Sequence, residues 1–288
     1  KNTMKKFIFV IVTVVIICVL GVSLAGCNRA TPTQKLLSNS RAWTSDVTDE
    51  TLVYDVIYKS ATKDQVKGTM TVNVKSYDKE KVEIGNWSLD NAVGYVATTE
   101  LVMDNGDVKK TTAFFTTTIQ VKYAECTQTI GGVTGGYTAE YKNEKCYYTT
   151  TDGSDKGQGE IKVGDFSESP YIDNAILYQV ARCLPDSVSS FTFDVPDVTL
   201  GEAQSVTMSA TRSSTTGIKG ADEAQTEYVC YFVYISLNRT FPGSGESLKC
   251  AVASTPYPSA DTPKINNLIV QITEGDTLYT LKSATYAE

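Results

Sequence analysis

Apolar and polar side chains alternate through most of this chain with a period of two. Residues 51–59, TLVYDVIYK, and 69–77, TMTVNVKSY, are clear early cases, and in the second Met70, Val72 and Val74 share one face. That spacing predicts half-buried β-strands. Segments 92–103 and 108–124 continue the pattern, as do 189–200, 204–212, 226–237, 247–254, 265–273 and 277–285, all rich in β-branched and aromatic residues. Between 92–103 and 108–124 stands Asp104-Asn105-Gly106-Asp107, and Asn-Gly between two strands predicts a hairpin with a type I′ turn. Further turns are expected near Gly131–Gly136 and at Asp152–Gly159.

One segment breaks the rhythm. Ser169-Pro170 followed by YIDNAILYQVARCL predicts a helix over 171–184, with serine as its N-cap, proline in the first turn and Pro185 to end it. Ile172, Ile176, Val180 and Cys183 fall on one stripe, which would face the sheet. A dozen strands and one helix predict a mainly β fold: a strongly curved antiparallel sheet, a half-open barrel, around one α-helix.

The chain starts differently. Lys5 and Lys6 precede an uncharged run, FIFVIVTVVIICVL, and Leu24-Ala25-Gly26-Cys27 follows it. A basic region, an apolar core and a small-residue cleavage site mark a secretory signal. The last four residues resemble the lipobox of bacterial lipoproteins, which implies cleavage before Cys27 and acylation of its sulfur. The alternative is an uncleaved helix, since 20 uncharged residues from Phe7 to Gly26 are long enough to span a bilayer. The expected division is a signal over 1–26, a lipidated polar tether over 27–46 and a single β-rich domain over 47–288. The expected address is the extracytoplasmic face of a bacterial membrane.

The element order also carries a resemblance. A long run of strands, the helix of PYIDNAILYQVARCLP, and closing strands that end in KINNLIVQITEGDTLYTLKSATY resemble exported lipoproteins with the curved sheet of the LolA and LppX carriers. The resemblance covers residues 45–286. It implies a sheet wrapped around the helix, with a concavity that can hold acyl chains.

Composition narrows the chemistry. Removing residues 1–26 takes away Lys1, Lys5 and Lys6 and no acid, leaving 23 basic against 33 acidic side chains, a net charge of −10. Such a surface repels phosphate backbones, so a nucleic-acid partner is not expected. The chain has no histidine, which removes Ser-His-Asp and Cys-His catalysis and histidine zinc sites. Ser60-Ala61-Thr62-Lys63 has the S-x-x-K spacing but sits in a polar turn, without companion motifs. Asp152-Gly153-Ser154-Asp155 with Gly157 and Glu160 has oxygen ligands but not the EF-hand spacing, and reads as a solvated turn. No cofactor, metal site or catalytic residue is expected.

Five cysteines remain after Cys18 and Cys27. Cys126 and Cys146 are 20 positions apart, and so are Cys230 and Cys250; each pair brackets a hairpin. At least one disulfide is therefore expected, with five free buried thiols as the alternative. In 226–237, Tyr228, Cys230, Phe232 and Tyr234 share one face and Val229, Tyr231, Val233 and Ile235 the other, as in a strand covered on both sides. One helical stripe is little cover for so long a sheet. The expectation is apolar volume beside the helix, with Phe232, Tyr234, Leu268 and Val270 in its wall. The expected function is a tethered, non-enzymatic binding protein for an apolar small molecule or lipid. Two alternatives stand: an interaction domain with a filled core that docks an envelope protein, and a histidine-free carboxylate enzyme acting on glycans.

Overall fold

The computed structural model describes residues 48–59, 65–152, 155–167, 170–184, 190–236, 247–254 and 267–287. All belong to the compact unit 32–288. The signal segment, Cys27, the tether and Ser60–Lys63 lie outside the described residues, as do Gly153, Ser154, Ser169 and Pro185.

Among the described residues, fourteen strands form one antiparallel sheet from two meanders. The first comprises β1 (Asp49–Lys59), β2 (Gln65–Ile84), β3 (Trp87–Met103), β4 (Val108–Thr116), β5 (Val121–Ile130), β6 (Val133–Lys142), β7 (Lys145–Asp152) and β8 (Asp155–Lys162). The second comprises β9 (Ser190–Asp197), β10 (Glu202–Lys219), β11 (Glu227–Ser236), β12 (Ser247–Ala253), β13 (Ile269–Glu274) and β14 (Thr277–Ala287). The meanders join where β1 pairs with β14, so strands from opposite ends of the domain lie side by side in mid-sheet. The edges are β8 and β9. The sheet curls until Gly201, in the turn just before β10, meets the Tyr148 hydroxyl of β7, which makes a nearly closed barrel. The expected fold class is the observed one.

Residues 170–184, which follow β8 and precede β9, pack inside the barrel. A 3₁₀ turn over Asn174–Ile176 leads into α1 (Leu177–Cys183). The expected helix start is corrected. Asp173, not Ser169, caps it through the Ala175 amide at 2.8 Å. Pro170 and Tyr171 are instead extended against β9: Asp194 N–H donates to the Pro170 carbonyl at 3.0 Å and Ile172 N–H to the Asp194 carbonyl at 2.8 Å. This contact covers an edge strand that would otherwise present unpaired amides. The single-stripe expectation is also corrected, because six of the seven α1 residues are buried, Gln179 and Arg182 among them. The sheet surrounds the helix, so every helical face needs a partner.

Three carboxylates hold the helical segment. Asp173 accepts hydrogen bonds from Tyr137 at 2.9 Å and Tyr141 at 2.6 Å. Glu50 of β1 pairs through both oxygens with Arg182, at 2.5 and 3.0 Å, with both side chains buried. Glu274 of β13 accepts from Tyr178 at 3.3 Å. Asn267 closes the helix end, its amide donating to the Arg182 carbonyl at 2.7 Å.

Burial raises the Asp173 pKa above the ordinary carboxylate value, against the opposing pull of its hydrogen-bond donors. Folded Asp173 therefore holds its proton to higher pH than the unfolded chain does. Its contribution favours the fold at low pH and is lost as pH rises through the raised value. Asp173→Asn, neutral throughout, is expected to remove that component. Urea melts at a series of pH values above the ordinary carboxylate range should show a smaller fall in stability for the variant. Identical slopes would contradict the assignment.

The β2–β3 hairpin is longer than its alternation suggested. Its distal half bends at irregularities around Asp78, Glu80 and Val82, beside Lys79 and Asn91 at positive φ. It lies over the outer face of β4 and β5, where Val82, Ile84 and Ala92 pack on Phe114 and Tyr123 as a second, smaller core. We call this part, residues 78–93, the flap. The segment 108–124, expected as one strand, divides into β4 and β5 at a turn with Ile119 at φ 63°. The expected turn at Asp152–Gly159 contains most of β8, so Gly157 and Glu160 belong to a strand and not to a cation-binding loop. The Asn105-Gly106 connection is a hairpin with a different turn. Gly106 N–H donates to Met103 O at 3.0 Å and only Gly106 has positive φ, which makes a three-residue loop with a glycine bulge.

No disulfide forms among the described cysteines; all five are free and buried. Cys126 lies on β5 and Cys146 on β7 with β6 between them, about 10 Å across the sheet at ordinary strand spacing. Cys126 faces Tyr137 and Cys146 faces Tyr141, four positions further along β6. Cys230 and Cys250 are on adjacent strands, but Cys230 faces Ala253 while Cys250 faces Val233. Three residues of extended chain put them about 10 Å apart, beyond the roughly 7 Å limit for a bridge. Burial pushes the Cys146, Cys183 and Cys230 thiols up to about 12. Alkylation of unreduced protein should be slow in the native state and should label all five once unfolded. Fewer than five would contradict this arrangement.

Candidate ligand site at the barrel mouth

At one end of the barrel the sheet leaves an opening of about 440 Å³. The end of β1, the start of β2 and the turns after β3 and β13 surround it, with Tyr58 and Ile130 exposed at its rim. A narrower space of about 60 Å³ follows alongside the helical segment, bounded by Met70, Leu177, Tyr178 and Leu248. Leu101, Lys109, Glu274 and Tyr279 line both spaces.

Strand register explains why these residues converge. Leu101 faces Lys109, Thr99 faces Thr111 and Ala97 faces Ala113 across β3 and β4. Ala97, Ala113 and Phe115 belong to the main core, so Lys109 occupies an inward position where that face reaches the mouth. Across β4 and β5, Lys109 faces Gln128 and Thr111 faces Cys126. Among the described residues the Lys109 ammonium has no ion-pair partner. Thr99 Oγ1 and Gln128 Oε1 are buried without a hydrogen-bond partner. Buried polar atoms are rarely left unpaired, so two such oxygens beside a cation mark this wall as unsatisfied.

The opposite wall is satisfied. Glu274 accepts from Tyr279 at 3.0 Å as well as from Tyr178. Burial first, then the Glu274 charge, raises both phenols well above their ordinary value. They stay neutral donors, and Glu274 is committed to them. Asp276 of the β13–β14 turn also lines the mouth, and Asp107 is held by Asn105 and the Gly131 amide, so Lys109 on the β3–β5 side is the cation of the opening.

This is not the cavity expected from the sequence. Leu268 and Val270 are in the closed core with no exposed surface. Phe232 and Tyr234 lie across β11 from the buried Val233 and Ile235. Lys249 Nζ sits 4.0 Å from the Phe232 ring centre and 5.7 Å from that of Tyr234. The four do not share a wall. The C-terminal strands contribute through Leu248, Glu274 and Tyr279 instead. Alternation in VKKTTAFFT shows that Lys109 shares a face with Thr111, Ala113 and Phe115. It does not show that this face turns inward, because Thr112 and Phe114 on the other face are buried too.

Among the described residues no three histidine, cysteine, aspartate or glutamate side chains are grouped to hold a metal ion. No helix among them is long and apolar enough to cross a membrane.

No family model matches the sequence, and no curated protein matches it. Among solved structures, a β-barrel-like protein from Brucella abortus, a domain of unknown function designated DUF1849, is similar in fold. The similarity covers 85% of this chain and all of that one, with a TM-score of 0.51 and 9% sequence identity. At that identity the likeness extends to the fold: this chain shares a barrel-like architecture with the Brucella protein.

Proposed function

We propose that this protein is a lipid-tethered, non-enzymatic carrier that holds a small amphipathic molecule at the barrel mouth. The observation that carries the reading is Lys109, an uncommitted ammonium in a mostly apolar opening, with the unpaired Thr99 Oγ1 on the adjoining inner space and the unpaired Gln128 Oε1 across β4 and β5. A carboxylate or phosphate head would meet Lys109 and the Thr99 hydroxyl. An apolar tail would lie along Leu101 and Met103 toward Tyr279. The opening has the size and apolar character typical of small-molecule sites. The resemblance to the LolA and LppX carriers agrees with this reading, and diacylation at Cys27 would keep the barrel at the membrane.

A structural or docking domain with a filled core is the competing reading. It draws on Leu177, Val180 and Ala181, all buried in the main core. Titration with dodecanoate and with dodecanol separates the two. The carrier binds both saturably, and Lys109→Leu weakens dodecanoate by about tenfold, roughly 1.4 kcal/mol, with little change for dodecanol. A filled domain binds neither. The tether has its own test. Cys27→Ala should accumulate as a longer precursor that never gains the lipid mass, and an unchanged mass and membrane partition would refute it.

A further inference from the structure

The flap and the sheet it covers enclose a second concavity, on the outside of the barrel. It is an open groove of about 660 Å³ between the flap tip and the outer face of β6–β8. Its two sides differ in chemistry, and that difference identifies an occupant.

One side is an aromatic wall of half-buried Trp87 and buried Tyr123. Trp87 stacks on Tyr123 with ring centres 5.1 Å apart and planes 8° from parallel, and Phe114 supports the pair at 5.8 Å. The second core under the flap fixes this wall in place. The other side is a polar floor set by strand register. Glu140 on β6, Tyr147 on β7 and Glu160 on β8 stand in one row, and Thr138, Thr149 and Gln158 form the next. Among the described residues the side chains of Asn86, Thr138, Thr149 and Gln158 make no hydrogen bond within the protein. Hydroxyl and amide groups of both polarities thus face a stacked aromatic pair across the groove.

We infer that this groove binds an oligosaccharide. A pyranose ring offers an apolar C–H face and a rim of hydroxyls that donate and accept. The indole face suits the first, and the amides, hydroxyls and carboxylates of the floor suit the second. A polar floor does not suit an acyl chain, and the two glutamates repel a phosphate backbone. The inference concerns binding and not cleavage. Glu140 and Glu160 are solvent-accessible and paired with Lys142 at 2.8 Å and Lys145 at 2.7 Å, whereas a glycosidase acid needs surroundings that hold its proton. The site is separate from the barrel mouth and does not depend on what the mouth holds.

Titrations with maltotetraose and with the tetramer of N-acetylglucosamine test the inference, read by Trp87 fluorescence and by calorimetry. At least one should bind saturably, and Gln158→Ala together with Thr149→Arg should weaken it about tenfold or more. Both substitutions lie on the exposed floor, so the melting temperature should not move. Lys109→Leu should leave sugar binding unchanged, which separates this groove from the mouth. Failure of both sugars to bind at millimolar concentration, or binding insensitive to the floor variant, would overturn the inference.

Discussion

Replacing Arg182 with alanine is expected to destabilise the protein by about 3–5 kcal/mol, because the Glu50 carboxylate would remain buried without its partner. The pair is enclosed on both sides, with side-chain exposures of 2% and 1%. Burial alone would lower the Arg182 pKa, but the Glu50 charge and hydrogen bonds outweigh it and hold the guanidinium above its ordinary value. For a domain of this size the loss corresponds to a fall of roughly 10 °C in melting temperature. The double variant Glu50→Leu with Arg182→Met should recover most of it, since an apolar pair of similar volume replaces a desolvated ion pair at little cost. Urea denaturation of the three proteins is the check. A loss under about 1 kcal/mol in Arg182→Ala would mean that water reaches Glu50.

The second large effect is expected at the base of the flap. Gly94 has φ 154°, and a Cβ built there would lie 2.3 Å from the Phe115 carbonyl oxygen and 3.1 Å from the Phe114 ring. Here β3 leaves its pairing with β4 and turns over the outer face. Only a residue without a side chain allows that close approach. Gly94→Val should cost about 3 kcal/mol or more, combining an unfavourable backbone conformation with an overpacked contact. It should also loosen the flap. Stacking between Trp87 and Tyr123 depends on the flap's position, so tryptophan emission should shift red while the β-sheet signal in circular dichroism persists. Unchanged emission would show that the bend does not depend on this glycine.

How much of this was legible in the sequence follows from what alternation can report. It marked most strands, because Met70, Val72 and Val74 and their counterparts face one core. It could not mark which strands meet. The β1–β14 junction joins residues over 200 positions apart, and no local signal encodes that. Alternation also misleads where both faces are covered: Phe114 is buried under the flap and Phe115 in the barrel. The helix was legible as an element, but its surroundings were not. An arginine and a glutamine on a short helix read as solvent-facing, and only the enclosing sheet reveals Arg182 and Gln179 as buried. Lys109 was missed for the same reason, since a lysine on a strand ordinarily signals the outside. The cysteine spacings were visible, but β6 separates Cys126 from Cys146, and register offsets Cys230 from Cys250.

On this proposal the barrel mouth receives an amphipathic molecule with its head at Lys109. A crystal of the protein grown with 12-bromododecanoate tests it most directly, because anomalous scattering locates the bromine independently of the fitted chain. The carboxylate is expected within hydrogen-bond distance of Lys109 Nζ. The bromine is expected at the far end of a tail running past Leu101 and Met103 along Tyr279. An empty mouth, or a bromine signal confined to the outer surface of the sheet, would contradict it.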